Sequence, residues 1–316
     1  MRPLLHLFLS IVAVSLLAAC GASGTPVSVT VQESGSTRLV THRFGVSPAP
    51  LNPQKVVALG EEELLADLLD AQVRVVASNA NVTESFPGFQ AEELEGITIF
   101  VSTQANLETI AALQPDLIIG YTIFIDGIGY DKLSAIAPTV AIDSGFDWQQ
   151  AYRELLSVFG KTELAQSNLD AYTARVAEAK TQLNAQGRPI SVGTIYPGPS
   201  PAAWVDGPTS VPQLLLDLGF TLSPTPEAVK DLGVRNGRAF FSLERLDLFA
   251  ADTLILVQST LVEGEAQALL DAKASPLWAQ LPAVQQNRVF ELNRFGYPGL
   301  RGRNALLTEL VALLTP

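Results

Sequence analysis

One stretch of this chain constrains its fold more than any other. From Glu163 to Gln186 there is neither glycine nor proline, and Leu169, Tyr172, Val176, Ala179 and Leu183 recur at spacings of 3, 4, 3 and 4. That is the rhythm of a single apolar stripe on an α-helix. At 1.5 Å per residue such a helix is about 36 Å long, enough to run the height of a domain. Gly187 and Pro189 then stop it. About three heptads could also serve a coiled coil, but the flanking segments favour a connector, because each is a series of βα units.

Before the helix, Val56 to Leu59 reads as a buried strand. Glu61, Glu62 and Glu63 stand where a helix N-terminus favours negative charge, and Leu64, Leu65, Leu68 and Leu69 carry helical spacing. Arg74 to Ala77 returns as a strand, completing a βαβ unit. A helix capped by Asn106 and ending near Leu113, a strand over 117–120, a helix over 130–137 and a strand over 139–142 continue the pattern. Asp147 to Phe159 is a further helix. After the long helix, strands are expected over 190–196, 253–257 and 288–292, with helices over 212–218 and 304–314. The fold class is therefore α/β: two α/β lobes bridged by one long helix.

Composition removes much chemistry. The net charge of −12 repels phosphate backbones, so nucleic acid is not a partner. One cysteine and two histidines, His6 and His42, cannot build a cysteine-ligated cluster or a multi-histidine zinc site. No G-x-G-x-x-G follows a strand, no P-loop is present, and no G-x-S-x-G elbow could serve His42. No catalytic residue, resident cofactor or directly held metal is expected.

Residues 1–19 read as a secretory signal: Arg2, an apolar run from Leu4 to Leu17, then small residues. Leu17-Ala18-Ala19-Cys20 resembles a bacterial lipobox, which would leave Cys20 lipidated and the protein extracytoplasmic on a membrane surface. Residues 20–50 then form the lipidated end, a flexible tether and an N-terminal arm, followed by a first lobe over 51–161, the helix over 162–187 and a second lobe over 188–316.

The two lobes echo each other. NLETIAALQPDLIIG begins at Asn106 and SLERLDLFAADTLIL at Ser242, matching Glu108 with Glu244 and Asp116 with Asp252. A glutamate in the first helical turn after Asn or Ser is good capping electrostatics, which accounts for part of the match.

These strings, with THRFG and NPQKVVAL before the first lobe, YDKLSAIAPTV within it and PLWAQLPAVQQNRVFEL near the end, resemble the substrate-binding lipoproteins of iron-siderophore ABC importers, a family related to vitamin B12 and haem binders. The resemblance covers essentially everything after the tether. It implies a cleft between the lobes that closes only slightly, a monomer, and an iron(III)-siderophore chelate as ligand. It also implies a permease with its ATPase as partners, with Glu108 and Glu244 docking onto permease arginines. Exposed ion pairs are worth only about 0.2–1 kcal/mol each, which suits a partner that must dock and leave. Vitamin B12 needs no side-chain ligand and haem would need an axial tyrosine, so both remain alternatives, as does a scaffold that lost its ligand.

Ligand groups in α/β sheets sit at loops beyond strand C-termini. Those loops offer Asn79, Asn81, Ser102, Thr103, Tyr121 and Phe124 in the first lobe, and Tyr196, Trp204, Arg294 and Tyr297 in the second. Trp148 and Trp278 fall within helical patterns and read as packing. Beyond Asn287 the charge inverts, with Arg288, Arg294, Arg301 and Arg303 against Glu291 and Glu309. Arg301 and Arg303 begin the final helix, where a cation opposes the helix dipole. Facing the cleft they would suit carboxylate, catecholate or hydroxamate oxygens; facing outward they would pair with acidic neighbours.

Overall fold

The computed structural model describes residues 27–81, 86–101, 106–144, 147–198, 200–207 and 209–315. Cys20, Ser102 and Thr103 lie outside these residues. The chain opens with an antiparallel meander of β1 (Thr30–Ser34), β2 (Thr37–His42) and β3 (Gly45–Pro50). Residues 30–50, expected to belong to an N-terminal arm, are thus strands. The inward positions of β2 include Arg38 and His42 beside Val40, and Leu39 faces out, so the alternation of apolar residues is blurred. His42 is structural: its Nε2 lies 2.9 Å from the Ser47 hydroxyl, and burial lowers its pKa.

The first lobe is a five-stranded parallel sheet in the order β6-β5-β4-β7-β8. Its strands are β4 (Val56–Leu59), β5 (Val75–Ala80), β6 (Thr98–Val101), β7 (Leu117–Tyr121) and β8 (Thr139–Ile142). They alternate with α1 (Glu61–Asp70), α2 (Leu107–Ala112), α3 (Thr122–Ile128), α4 (Tyr130–Ser134) and α5 (Trp148–Val158). β4 and β8 are buried along their whole length, as expected of strands covered on both faces.

The long helix, α6 (Thr162–Leu183), ends at Asn184 in the left-handed conformation, before Gly187 is reached. The expected stripe is its inner face: Leu169, Tyr172, Ala179 and Leu183 are buried and Val176 partly so. The second lobe carries β9 (Pro189–Tyr196), β10 (Ser200–Trp204), α7 (Ser210–Asp217), β11 (Thr221–Leu222), β12 (Val234–Arg235), β13 (Arg238–Phe240), β14 (Leu254–Gln258), α8 (Glu265–Ala274), α9 (Pro282–Gln285), β15 (Val289–Asn293) and α10 (Gly299–Leu314). Its sheet runs β12-β13-β10-β9-β14-β15, parallel from β9 to β15 and antiparallel from β9 to β12, with β11 beside the start of β9.

The helix α10 does more than close the second lobe. It packs on α1 of the first lobe as well as on α6 and α7. It begins at Gly299, five residues before the expected start at Asn304, because its first turn is capped from elsewhere. The Leu300 N–H donates to Asp67 Oδ1 of α1 at 2.8 Å. One apolar cluster consequently runs without a break from Val56 and Leu65 through Leu169 and Leu306 to Ile190 and Leu214.

Gly302 sits where a Cβ would overlap the Tyr297 backbone carbonyl. Gly302→Ala should therefore cost about 1–3 kcal/mol by forcing α10 away from the preceding turn, read as a lowered urea midpoint. Burial pushes the Asp67 carboxyl up to about 8, against the pull of the Leu300 N–H and Arg303. An unfolded aspartate ionises near 3.9. Between roughly pH 4 and 8 the folded chain thus holds a proton that the unfolded chain has lost, and stability falls as pH rises through that window. Asp67→Asn abolishes this titration, so its urea midpoint should change less between pH 5 and 8 than that of the parent.

Candidate ligand cleft

Two adjoining recesses of 460 and 940 Å³ open between the lobes and share Glu61, Ile123, Thr209, Ser210, Arg294 and Tyr297 in their walls. They lie at the C-terminal ends of β4, β7, β9 and β15, where the helices that follow parallel strands leave a crevice.

The larger recess is cut mostly into the second lobe. Its wall is aromatic: Tyr196 stacks on Phe240 with centroids 5.7 Å apart, and Trp204 stands beside them. The Arg238 guanidinium lies 5.0 Å from the Trp204 ring, 5.6 Å from Phe240 and 5.7 Å from Tyr196, and donates through Nη1 to the Tyr196 hydroxyl. Among the described residues no carboxylate pairs with Arg238. Trp204 Nε1 and Arg238 Nε are buried with no hydrogen-bond partner. Leaving a buried donor unsatisfied costs about 1–3 kcal/mol, so two in one wall require a reason.

Arg238 was not among the residues singled out from sequence. The signal that could have found it is Asn236-Gly237, which forms the two-residue turn between β12 and β13 with φ of 49° and 73°. Both residues are left-handed, as a type I′ hairpin turn requires. Period-2 alternation from that turn puts Arg238 and Phe240 on one face and the buried Ala239 on the other.

Arg294 borders both recesses and is already committed. It pairs with Glu265, whose side chain has no exposure at all. Burial raises the Glu265 pKa, opposed by the Arg294 charge and by the Ser259 N–H, which donates to it at 2.6 Å. The Arg294 guanidinium also lies 5.0 Å from the Tyr196 ring.

The smaller recess has Arg303 in its wall. This guanidinium sits 4.0 Å from the Trp148 ring centroid, pairs with Glu63 at 3.2 Å and donates to Gln213 at 3.3 Å, while its Nε is buried and unpartnered. Trp148, expected to be packing only, thus lines the cleft and also meets Tyr172 edge-on. Tyr121 and Phe124 line the same recess; burial drives the Tyr121 hydroxyl well above its ordinary pKa. Tyr297 donates its hydroxyl to Glu309 at 2.6 Å. Glu62 accepts from the Asn81 backbone at 2.8 Å and side chain at 3.0 Å, and Asn79 Oδ1 accepts from the Glu61 N–H at 2.9 Å.

Arg301 is the exception. It borders neither recess but pairs with Asp70 at 2.6 Å and Glu93 at 2.5 Å. The cause is helical geometry: residues two apart point about 200° from each other, so Arg301 and Arg303 cannot face the same way. Arg303 turns to the cleft and Arg301 to the outer carboxylates of the first lobe.

Glu108 and Glu244 are both exposed. Glu108 lies in the first turn of α2, capped by Asn106 Oδ1 accepting from the Glu108 N–H at 2.8 Å. Glu244 lies in a kinked 3₁₀ segment, Leu243–Leu248, so the echo between the lobes holds in sequence order but not in helix type. The Ser242 hydroxyl holds the Glu244 carboxyl below its usual range.

A model of the periplasmic binding protein family matches residues 56–294. The chain belongs to the periplasmic binding protein family. This periplasmic binding protein is 29% identical over 319 residues to the probable siderophore-binding lipoprotein YfiY of Bacillus subtilis, covering 96% of this chain and 95% of that one. It is 28% identical over 293 residues to the ferric enterobactin-binding periplasmic protein FepB of Escherichia coli, covering 83% and 86%. In fold it is similar to Staphylococcus aureus SirA complexed with staphyloferrin B, with a TM-score of 0.71, 24% identity, and coverage of 87% and 98%. Among the described residues no group of three or more His, Cys, Asp or Glu could hold a metal ion.

Removing one partner of a buried ion pair strands the other. Glu265→Ala should cost the periplasmic binding protein about 3 kcal/mol in urea unfolding, whereas replacing an exposed acid such as Glu227 should change it by less than about 0.5 kcal/mol.

Proposed function

We propose that this protein captures an iron(III)-siderophore chelate in the cleft and delivers it to the permease and ATPase of an ABC importer. It does so as an extracytoplasmic monomer held to the membrane by a lipid on Cys20, and it catalyses no reaction. The observation that carries the ligand reading is the aromatic recess with two buried, unsatisfied donors, Trp204 Nε1 and Arg238 Nε. Aromatic faces take the flat organic framework of a chelator, and the donors take the oxygens that surround its iron. The siderophore supplies all ligands to the metal. The named specificities of the two relatives support the same reading.

Tyr196, Trp204, Arg238, Arg294 and Tyr297 then face the chelate from the second lobe, and Tyr121 and Arg303 bound it from the floor. Haem fits less well, because the Tyr196 and Tyr297 hydroxyls are engaged by Arg238 and Glu309. Glu108 and Glu244, exposed on separate lobes, serve as docking carboxylates for permease arginines.

The test separates capture from delivery. A ferric chelate at 100 times its Kd should stabilise the full chain in detergent by about 2.7 kcal/mol, and the iron-free chelator should not. Arg238→Ala should weaken that binding by at least about tenfold, the loss of a charge-assisted hydrogen bond. Glu108→Ala with Glu244→Ala should leave binding unchanged and abolish iron uptake in cells. Absence of stabilisation by catecholate, hydroxamate and citrate-type ferric chelates alike would overturn the proposal.

A further inference from the structure

The charges around the cleft do not suit a highly anionic ligand. Among the described lining residues of the two recesses, the carboxylates are Glu61, Glu62, Glu63 and Asp206 and the cations are Arg238, Arg294 and Arg303. Acids outnumber bases even here, inside a chain of net charge −12. Two of the three arginines are already neutralised, Arg303 by Glu63 and Arg294 by the fully buried Glu265. Recruiting either for a ligand anion would strand its carboxylate, and at Glu265 that carboxylate has no water to turn to. Among the described lining residues Arg238 alone has no carboxylate paired with it, and Glu61 and Asp206 border the same recess.

From this balance we infer that the chelate taken by the cleft carries little or no net charge: an iron(III) tris-hydroxamate rather than a tris-catecholate. The inference rests on the siderophore reading and narrows it. Three singly charged hydroxamates neutralise iron(III), whereas three doubly charged catecholates leave a trianion. A neutral chelate still needs donors for its iron-bound oxygens, and Arg238 with Trp204 Nε1 supplies them without breaking either existing pair. A trianion would bring its charge between opposed walls of low dielectric, one of which presents Glu61 at the rim of both recesses. A chelate bearing one protonated amine is tolerated for the same reason.

Quenching of tryptophan fluorescence reads the binding, since Trp148 and Trp204 line the recesses. The full chain is titrated with three iron(III) probes: a cyclic tris-hydroxamate (neutral), a linear tris-hydroxamate with one protonated amine, and a tris-catecholate. Each titration is run at low and at physiological salt. The neutral and monocationic probes should bind at least about tenfold tighter than the trianion at low salt. Added salt should tighten the trianion, loosen the monocation and leave the neutral probe unchanged, because screening acts on repulsion and attraction alike. Glu61→Gln with Asp206→Asn should narrow the gap between the neutral and trianionic probes. A trianion that binds tightest at low salt and weakens with added salt overturns the inference but leaves the siderophore reading intact, and a gap unmoved by the double substitution does the same. Failure of all three probes to bind overturns the inference, and failure of a citrate-type ferric chelate as well overturns both.

Discussion

The hydrogen bond from the Leu300 N–H to Asp67 joins the two lobes at the point where the rest of the cleft is fixed. It caps the N-terminus of α10 with a side chain from α1, and it does so where water is excluded. Everything on the first turn of α10 is placed by it. Arg301 reaches Asp70 and Glu93 on the outside, Arg303 reaches Glu63 on the inside, and Gly302 lets the chain pass against Tyr297. The floor of the cleft is thus a property of the lobe junction and not of either lobe alone. A rigid floor fits a binding protein whose lobes share one continuous core, because opening them widely would break apolar contacts as well as ion pairs.

The cleft handles its arginines in two ways. Arg294 and Arg303 are held by carboxylates and serve as fixed dipoles and packing surfaces, with Tyr196 and Trp148 against their planar faces. Arg238 is held by aromatic faces and a phenol, which position the guanidinium without cancelling its charge. That difference separates an arginine that builds a wall from one that can receive a ligand.

The parts of this molecule that local chemistry determines were legible in the sequence. The connecting helix announced itself through 3-4 spacing and the absence of breakers, and Asn106 and Asp147 cap the helices expected of them. Tyr121, Tyr196, Trp204, Arg294 and Tyr297 stand out by lying beyond strand ends and Arg303 by the inverted charge of the C-terminal stretch, and all of them line the recesses. The remainder depended on partners distant in sequence. The start of α10 could not be read because its cap lies 233 residues away. Arg301 could not be told from Arg303 because a charge count ignores helical phase. Arg238 was passed over because the Asn-Gly turn that orients it was not read as a hairpin, and the meander was missed because its inner face carries Arg38 and His42.

The return of α10 to the first lobe has a consequence for the order in which the chain can mature. The side of α1 that meets α10 stays uncovered until that 16-residue helix is available, although β4 and β5 already cover the rest. The first lobe therefore cannot finish folding while α10 is still in the ribosome, although all its own strands have long since emerged. For a chain proposed to cross a membrane before it works, that delay is useful: the polypeptide stays threadable until α10 has been made, and the native state becomes reachable only once α1 and α10 are on the same side.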